Sequence, residues 1–114
     1  MVSSVAVSQK KEIVVSGSWD SSIAVWSLAT GQVIQVLEGH TDPVCSVAIS
    51  SDGEWIVSGS KDGTLRVWSL ASGKTTLVFT GHSNWVTSVA ISSKNEYIVS
   101  GSSRDRTLRV WSLT

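Results

Sequence analysis

Residues 39–80 read GHTDPVCSVAISSDGEWIVSGSKDGTLRVWSLASGKTTLVFT, and the rest of the chain repeats this stretch. VAIS at Val47–Ser50 returns 42 residues later at Val89–Ser92, and VAVS stands 42 residues earlier at Val5–Ser8. Three tryptophans follow the same spacing, with one extra residue before the last of them: Trp26, Trp68 and Trp111. A period between 20 and 50 residues is typical of repeat architectures. The 114 residues therefore contain nearly three copies of one structural unit.

Within each copy, apolar and polar residues alternate with a period of two, which is typical of strands and not of helices. The runs GEWIVSGS and GTLRVWSL are rich in β-formers, and the turn signals SSDG and SKDG precede them. The sequence of each full copy thus predicts four short antiparallel strands, which are named a to d in chain order. The expected strands, about 11 in an all-β fold, lie near 4–8, 12–17, 23–27 and 32–37, near 44–49, 54–59, 64–69 and 74–79, and near 86–91, 96–101 and 107–112. Strand d of the third copy is missing.

The ordered marks of these copies resemble the WD-repeat (WD40) β-propeller family over essentially the whole chain. The marks are GH before strand a, SGSxD leaving strand b, and a tryptophan ending strand c. The chain departs from the family in having Trp-Ser where the name-giving dipeptide is Trp-Asp. The resemblance implies a single segment of three propeller blades over residues 1–114: blade 1 about 2–38, blade 2 about 39–80, and blade 3 about 81–114 without its outer strand. Trp55, in strand b of the second copy, is predicted to pack between blades.

Every copy carries Ser, Asp and Trp, and two copies carry His. A Ser-His-Asp set can supply nucleophile, base and orienting acid. An enzyme needs such a set once and not in every repeat, and the GxSxG elbow is missing, so the sequence favours a protein without catalytic activity. The resemblance instead implies a structural network in the order Trp indole N–H, Ser hydroxyl, His ring, Asp carboxylate. Its expected members are His40, Ser58, Asp62 and Trp68 in the second copy, His82, Ser100, Asp105 and Trp111 in the third, and Ser16, Asp20 and Trp26 in the first.

Two further tryptophans stand outside the repeating pattern. Trp19 occupies the position of Lys61 and Arg104 in the other copies, and Trp85 occupies the position of Pro43. The resemblance implies that the loops between strands b and c and those before strand a share one propeller face. Exposed aromatic residues are favoured contacts for protein partners, although both tryptophans could instead pack on neighbouring loops. The candidate face for a protein or peptide partner comprises Trp19, Asp42, Pro43, Lys61, Asn84, Trp85 and Arg104.

Composition narrows the remaining classes of function. Nine basic and nine acidic residues cancel, whereas nucleic-acid binding selects for a basic surface. A single cysteine excludes an intrachain disulfide and fits a reducing compartment, so a cytoplasmic location is expected. No apolar run approaches the roughly 18 residues of a membrane span, and the N-terminus does not resemble a cleaved signal. Neither metal-ligand spacing nor a phosphate-binding glycine loop occurs, so no cofactor is expected.

Three blades are too few for a propeller, which typically has about four to eight. Two chains would give six blades at about 60° per blade, and three would give nine at about 40°, against about 51° and 45° in rings of seven and eight. The sequence therefore favours a homotrimer over a homodimer, with strand c of the third blade (Thr107–Ser112) as an open edge. Alternatively, the chain is a fragment, or an engineered or selected repeat protein made to study assembly and without a ligand. The near-identity of the second and third copies favours that alternative.

Overall fold

The computed structural model describes residues 2–80, 85–91, 97–102 and 107–112. They form strands and turns, and no helix occurs among them. The strands are β1 Val2–Ser8, β2 Ile13–Ser18, β3 Ser22–Ser27, β4 Val33–Glu38, β5 Val44–Ile49, β6 Trp55–Ser60, β7 Thr64–Ser69, β8 Thr75–Thr80, β9 Ser88–Ile91, β10 Tyr97–Ser102 and β11 Thr107–Ser112. The prediction of an all-β chain with about eleven short strands is confirmed.

The strands form three antiparallel sheets in which each strand pairs with the next along the chain. The first sheet has the order β1-β2-β3-β4, the second β5-β6-β7-β8, and the third β9-β10-β11. Tight turns make this meander possible. The turn between β6 and β7 contains Gly63 at a φ of 84°, a conformation that costs glycine little because it lacks a Cβ.

Strands b and d begin one residue later than predicted in both complete copies. In the second copy the carboxylate of Asp52 accepts the N–H of Glu54 at 3.0 Å, and this contact keeps Glu54 in the turn before β6. Strand a of the third copy begins at Ser88 and not at residue 86. The reason is that Val86 N–H donates to the Ser60 carbonyl of the second sheet at 2.9 Å.

The core lies between successive sheets and consists of two apolar clusters. Between the first and second sheets, one cluster includes Val15, Ile23, Val25, Leu37, Val44, Val47, Ile56 and Trp68. Between the second and third sheets, the other includes Val57, Leu65, Val67, Val86, Val89 and Ile98. Burying each Val, Leu or Ile side chain contributes about 1.5–3 kcal/mol relative to exposure. Each sheet is therefore stabilised mainly by its neighbours, as expected for repeat proteins.

Glycines in strand b let the sheets approach closely. A Cβ added at Gly17 would lie 2.7 Å from Val44 Cγ1, and one added at Gly59 would lie 2.5 Å from Val86 Cγ1. The equivalent position in the third sheet is Gly101, where an added Cβ would meet no atom of the described residues within 4 Å. The face of the third sheet that carries Gly101 is therefore open.

Candidate functional site

Four side chains of the second sheet form one continuous hydrogen-bonded chain. The Trp68 indole Nε1–H donates to Ser58 Oγ at 2.8 Å. Ser58 Oγ lies 2.6 Å from His40 Nε2, and His40 Nδ1 lies 3.0 Å from Asp62 Oδ2. Trp68, Ser58 and His40 are buried. The structure thus brings together the four residues expected in the second copy, in the order that the resemblance implies.

Donor and acceptor chemistry assigns the protons of this chain. The indole can only donate, and the Ser58 hydroxyl that accepts from it can in turn donate to His40 Nε2 where this nitrogen carries no proton. An ionised Asp62 can only accept, so the proton of the imidazole lies on Nδ1. A neutral His40 with its proton on Nδ1 therefore satisfies every member at once, and a fully satisfied buried network specifies one arrangement of the core.

Asp62 is the charged end of the network. Its Oδ1 accepts the N–H of Thr64 at 2.9 Å as well as the Thr64 hydroxyl, and Oδ2 also accepts the N–H of Thr41 at 3.3 Å. Burial opposes ionisation and is the largest single influence on the pKa of this carboxyl. The hydrogen bonds from His40 and Thr64 together outweigh it and hold the pKa of Asp62 well below its usual range.

This network joins strands and loops and offers no nucleophile. It connects the loop before β5 to β6, to the following turn and to β7, so it fixes the turn that carries Lys61. The hydroxyl of Ser58 lies in a fully buried side chain and is engaged by both Trp68 and His40. A substrate could reach this oxygen only if the core opened.

The other two sheets contain parts of the same arrangement. In the first sheet, Trp26 Nε1–H donates to Ser16 Oγ at 2.9 Å, while the exposed Asp20 accepts the N–H of Ser22 at 3.0 Å. The first copy has no histidine to join these two pairs. In the third sheet, Trp111 Nε1–H donates to Ser100 Oγ at 2.8 Å. The predicted members His82 and Asp105 lie outside the described residues.

A lysine lies against two tryptophan rings on the loop face. Lys61 Nζ is 4.0 Å from the ring centroid of Trp19 and 3.9 Å from that of Trp85. The three residues come from three sheets: Trp19 follows β2, Lys61 follows β6, and Trp85 precedes β9. Both distances are well within the roughly 6 Å at which an ammonium is attracted to a ring face.

Hydrogen bonds link the turn of Lys61 to the loop before β5. The N–H of Lys61 donates to the Pro43 carbonyl at 3.0 Å, and Ser60 Oγ donates to the Asp42 carbonyl at 3.0 Å. Asp42 and Pro43 are thereby joined to the turn of Lys61. The structure thus brings five of the seven candidate face residues into one linked group of loops. Asn84 and Arg104 lie outside the described residues.

The sequence predicted that Trp19, Lys61 and Trp85 lie on one face, but it did not predict the contacts between the lysine and the two rings. The available signal was the exchange of a lysine for a tryptophan at equivalent positions of neighbouring copies. The prediction that Trp55 packs between blades is wrong, because 39 % of its surface is exposed at the start of β6. Trp55 lies at the opposite end of that strand from the turn of Lys61.

The remaining chemistry of the described residues is limited. Cys45 is a free, half-buried thiol. Burial raises its pKa, while the charge of Lys61 acts in the opposite direction, so the thiol is poorly reactive. Among the described residues, no group of three or more His, Cys, Asp or Glu side chains could hold a metal ion. That part of the chain also holds no helix long and apolar enough to cross a membrane.

Comparison with known proteins assigns the repeat. The model of the WD40 family, described as "WD domain, G-beta repeat", matches residues 1–27, 31–69 and 73–112. Each match ends directly after a tryptophan of strand c. A 44-residue stretch is 48 % identical to the Periodic tryptophan protein 2 homolog of Dictyostelium discoideum, covering 38 % of this chain and 5 % of that protein. With the family model matched three times over most of its length, the chain belongs to the WD40 repeat family.

Proposed function

We propose that the chain is a non-enzymatic scaffold that closes into a ring with copies of itself and presents its loop face to a protein or peptide. Membership of the WD40 family supports an interaction role. Two further observations support the proposal. They are the exposed apolar faces of the two end sheets, and the tryptophan-lysine cluster on the loop face.

The observation that carries ring closure is a contrast in burial between equivalent residues. Val5 of the first sheet is 61 % exposed, whereas its equivalent Val47 is 6 % exposed. Leu108 of the third sheet is 72 % exposed, whereas its equivalent Leu65 is fully buried. The first sheet thus exposes the face that, in the second sheet, packs against the preceding sheet. The third sheet exposes the face that, in the second sheet, packs against the following sheet.

A second copy offers the matching surface to each open face. Its first sheet would cover the third sheet of its neighbour, as the second sheet covers the first within the chain. This contact is head-to-tail, and head-to-tail contacts form closed rings when the rotation per subunit permits. We propose a homotrimer of nine blades over a homodimer of six, because about 40° per blade is closer to the 45° of an eight-bladed ring than 60° is to the 51° of a seven-bladed one.

Native mass spectrometry over a range of concentrations tests the assembly. We expect the mass of three chains at low micromolar concentration. A monomer under those conditions would refute ring closure, and a dimer would refute the nine-bladed stoichiometry.

The proposed partner surface comprises Trp19, Asp42, Pro43, Lys61, Asn84, Trp85 and Arg104. Trp19 supports it most directly, because 49 % of its surface is exposed on the loop that follows β2. Large aromatic residues of this kind dominate the energetics of interfaces. The free thiol of Cys45 fits the reducing cytoplasm, which is the location we propose.

Selection of displayed peptides against the assembled protein tests the loop face. Peptides that bind should lose at least about tenfold in affinity on Trp19→Ala or Trp85→Ala, the loss expected of an interface hot spot. Trp55→Ala is the matched control, since Trp55 is exposed at the other end of strand b. The alternative of a purely structural repeat protein predicts that no peptide is selected. Equal binding to all three variants would refute this face.

A further inference from the structure

The ammonium of Lys61 lies near 4 Å from two indole rings, which is how aromatic cages hold quaternary ammonium ligands. We infer that Trp19 and Trp85 form a binding site for a trimethylammonium group, carried by a partner peptide as trimethyllysine. In the absence of the partner, Lys61 of the same chain occupies the site. This inference rests on the proposed use of the loop face for peptides and names the chemistry of the partner.

The backbone on both sides of the site is already fixed. Next to Trp85, the side chain of Val86 is buried, and its N–H donates to the Ser60 carbonyl at 2.9 Å. Next to Trp19, the Asp20 carboxylate accepts the N–H of Ser22 at 3.0 Å and so closes the turn. Ligand binding therefore costs little backbone entropy, and preorganisation of this kind favours affinity.

The occupant can leave without unfolding the turn. Lys61 is held through its backbone N–H to the Pro43 carbonyl at 3.0 Å, and the neighbouring Asp62 is anchored by the network of His40. Its ammonium is carried on a flexible four-carbon stem, and the residue is partly exposed. Rotation of the side chain into solvent would open the space beside both rings.

The site favours a methylated ammonium over a plain one. An unmodified lysine of a partner would have to displace an equivalent lysine that is tethered at high effective concentration. A plain ammonium is also a compact, strongly hydrated cation with three donors, and the ring faces offer those donors no ordinary acceptor. A trimethylammonium group has no N–H to leave unpaired and keeps its charge. The exposed carboxylates of Asp20 and Asp42 lie on the adjoining loops and favour a cationic ligand.

The competition with Lys61 has a measurable size. Two cation–π contacts at an exposed site correspond to about 5- to 30-fold in an equilibrium constant. Lys61→Ala should therefore bind a trimethylammonium ligand about 5- to 30-fold more tightly than the unmodified protein.

Titration with N-acetyl-trimethyllysine amide, followed by NMR of the tryptophan indole N–H groups, tests the site. We expect the Trp19 and Trp85 signals to shift while that of Trp55 does not. The unmethylated probe, Nα-acetyl-lysine amide with a free side-chain ammonium, should bind at least about tenfold more weakly. Trp19→Ala and Trp85→Ala should each abolish the shift of the remaining indole, whereas Trp55→Ala should leave the affinity unchanged. Equal affinity for the methylated and unmethylated probes would overturn the inference, as would Lys61→Ala binding no more tightly.

Two further arms separate this inference from the proposed function. Choline tests the free head group, and binding of choline as tightly as a trimethyllysine peptide would overturn the assignment to a peptide. Displayed peptides that bind the loop face regardless of lysine methylation would overturn the inference and leave the proposed function standing. If no peptide binds but the trimethyllysine amide does, the proposed function fails and the site itself is retained.

Discussion

Gly101→Val places a branched side chain on the open face of the third sheet. The position is equivalent to Gly17 and Gly59, where glycine allows the next sheet to approach. In the single chain an added Cβ at residue 101 meets no described atom within 4 Å, and valine is favoured over glycine in strands. The substitution should therefore leave the fold of the chain intact.

The effect on assembly can be worked out from the two internal equivalents. There, an added Cβ would lie 2.7 Å from Val44 Cγ1 or 2.5 Å from Val86 Cγ1. Overpacking of this kind costs about 1–3 kcal/mol. If the ring closes with the same geometry, each junction between copies contains one such contact. Each junction should then weaken by about 5- to 150-fold.

Light scattering during size-exclusion chromatography, repeated over a dilution series, measures this weakening. We expect Gly101→Val to dissociate at concentrations where the unmodified protein remains assembled, and its thermal unfolding as a dilute chain should be unchanged. Gly59→Val is the control, because it overpacks a contact within the chain and should lower stability at every concentration. Assembly of Gly101→Val that matches the unmodified protein would refute the proposed junction.

Three further predictions concern the network and the loop face. His40→Ala should lower the free energy of unfolding by about 1–3 kcal/mol, since it leaves buried partners without a hydrogen bond; an unchanged melting curve would refute the network. The pKa of Asp62 is lowered in the folded chain, so its stabilisation is complete above about pH 5. It declines as the pH falls below the unfolded value of about 3.9 and is lost once the pH has fallen through the lower pKa of the folded chain. Asp62→Asn should therefore flatten the acid side of the Tm profile. Asp20→Asn should flatten it less, because hydrogen bonds from Ser22 lower the pKa of this exposed carboxyl without a histidine partner; equal flattening by the two variants would count against this assignment. Lys61→Ala should raise the pKa of Cys45 further, because the lysine charge lowers it, and should slow alkylation at pH 8; an unchanged rate would place the charge too far from the thiol.

Local sequence signals were sufficient to predict the strands. Alternation in Val47–Ser50 and turn signals such as SKDG depend on neighbours along the chain, so they can be read without a structure. The ends of the strands were harder to predict. The sequence pattern predicts Glu54 to lie in a strand, but the Asp52 carboxylate accepts its N–H and keeps it in the turn. Strand propensities do not describe side-chain contacts of this kind.

The candidate site was predictable to the extent that it repeats. Ser58, Asp62 and Trp68 recur in the other copies at equivalent positions, so the repeat itself identified them as one set. The contact of Lys61 with Trp19 and Trp85 does not repeat. It depends on the relative placement of three sheets, and no periodic signal describes that placement.

Repetition and departure from it therefore carry different information in this chain. Because the interfaces between sheets use equivalent residues, Leu108 exposes a surface equivalent to the one that Leu65 buries, and on this ground we propose self-association. The proposed partner, by contrast, is expected to bind where the copies differ. On the loop face that difference is a cation between two aromatic rings. Strict repetition of the second copy would instead place lysine at residue 19 and proline at residue 85. Neither Trp19 nor Trp85 belongs to a buried core cluster, and this supports the recognition role that we propose for them.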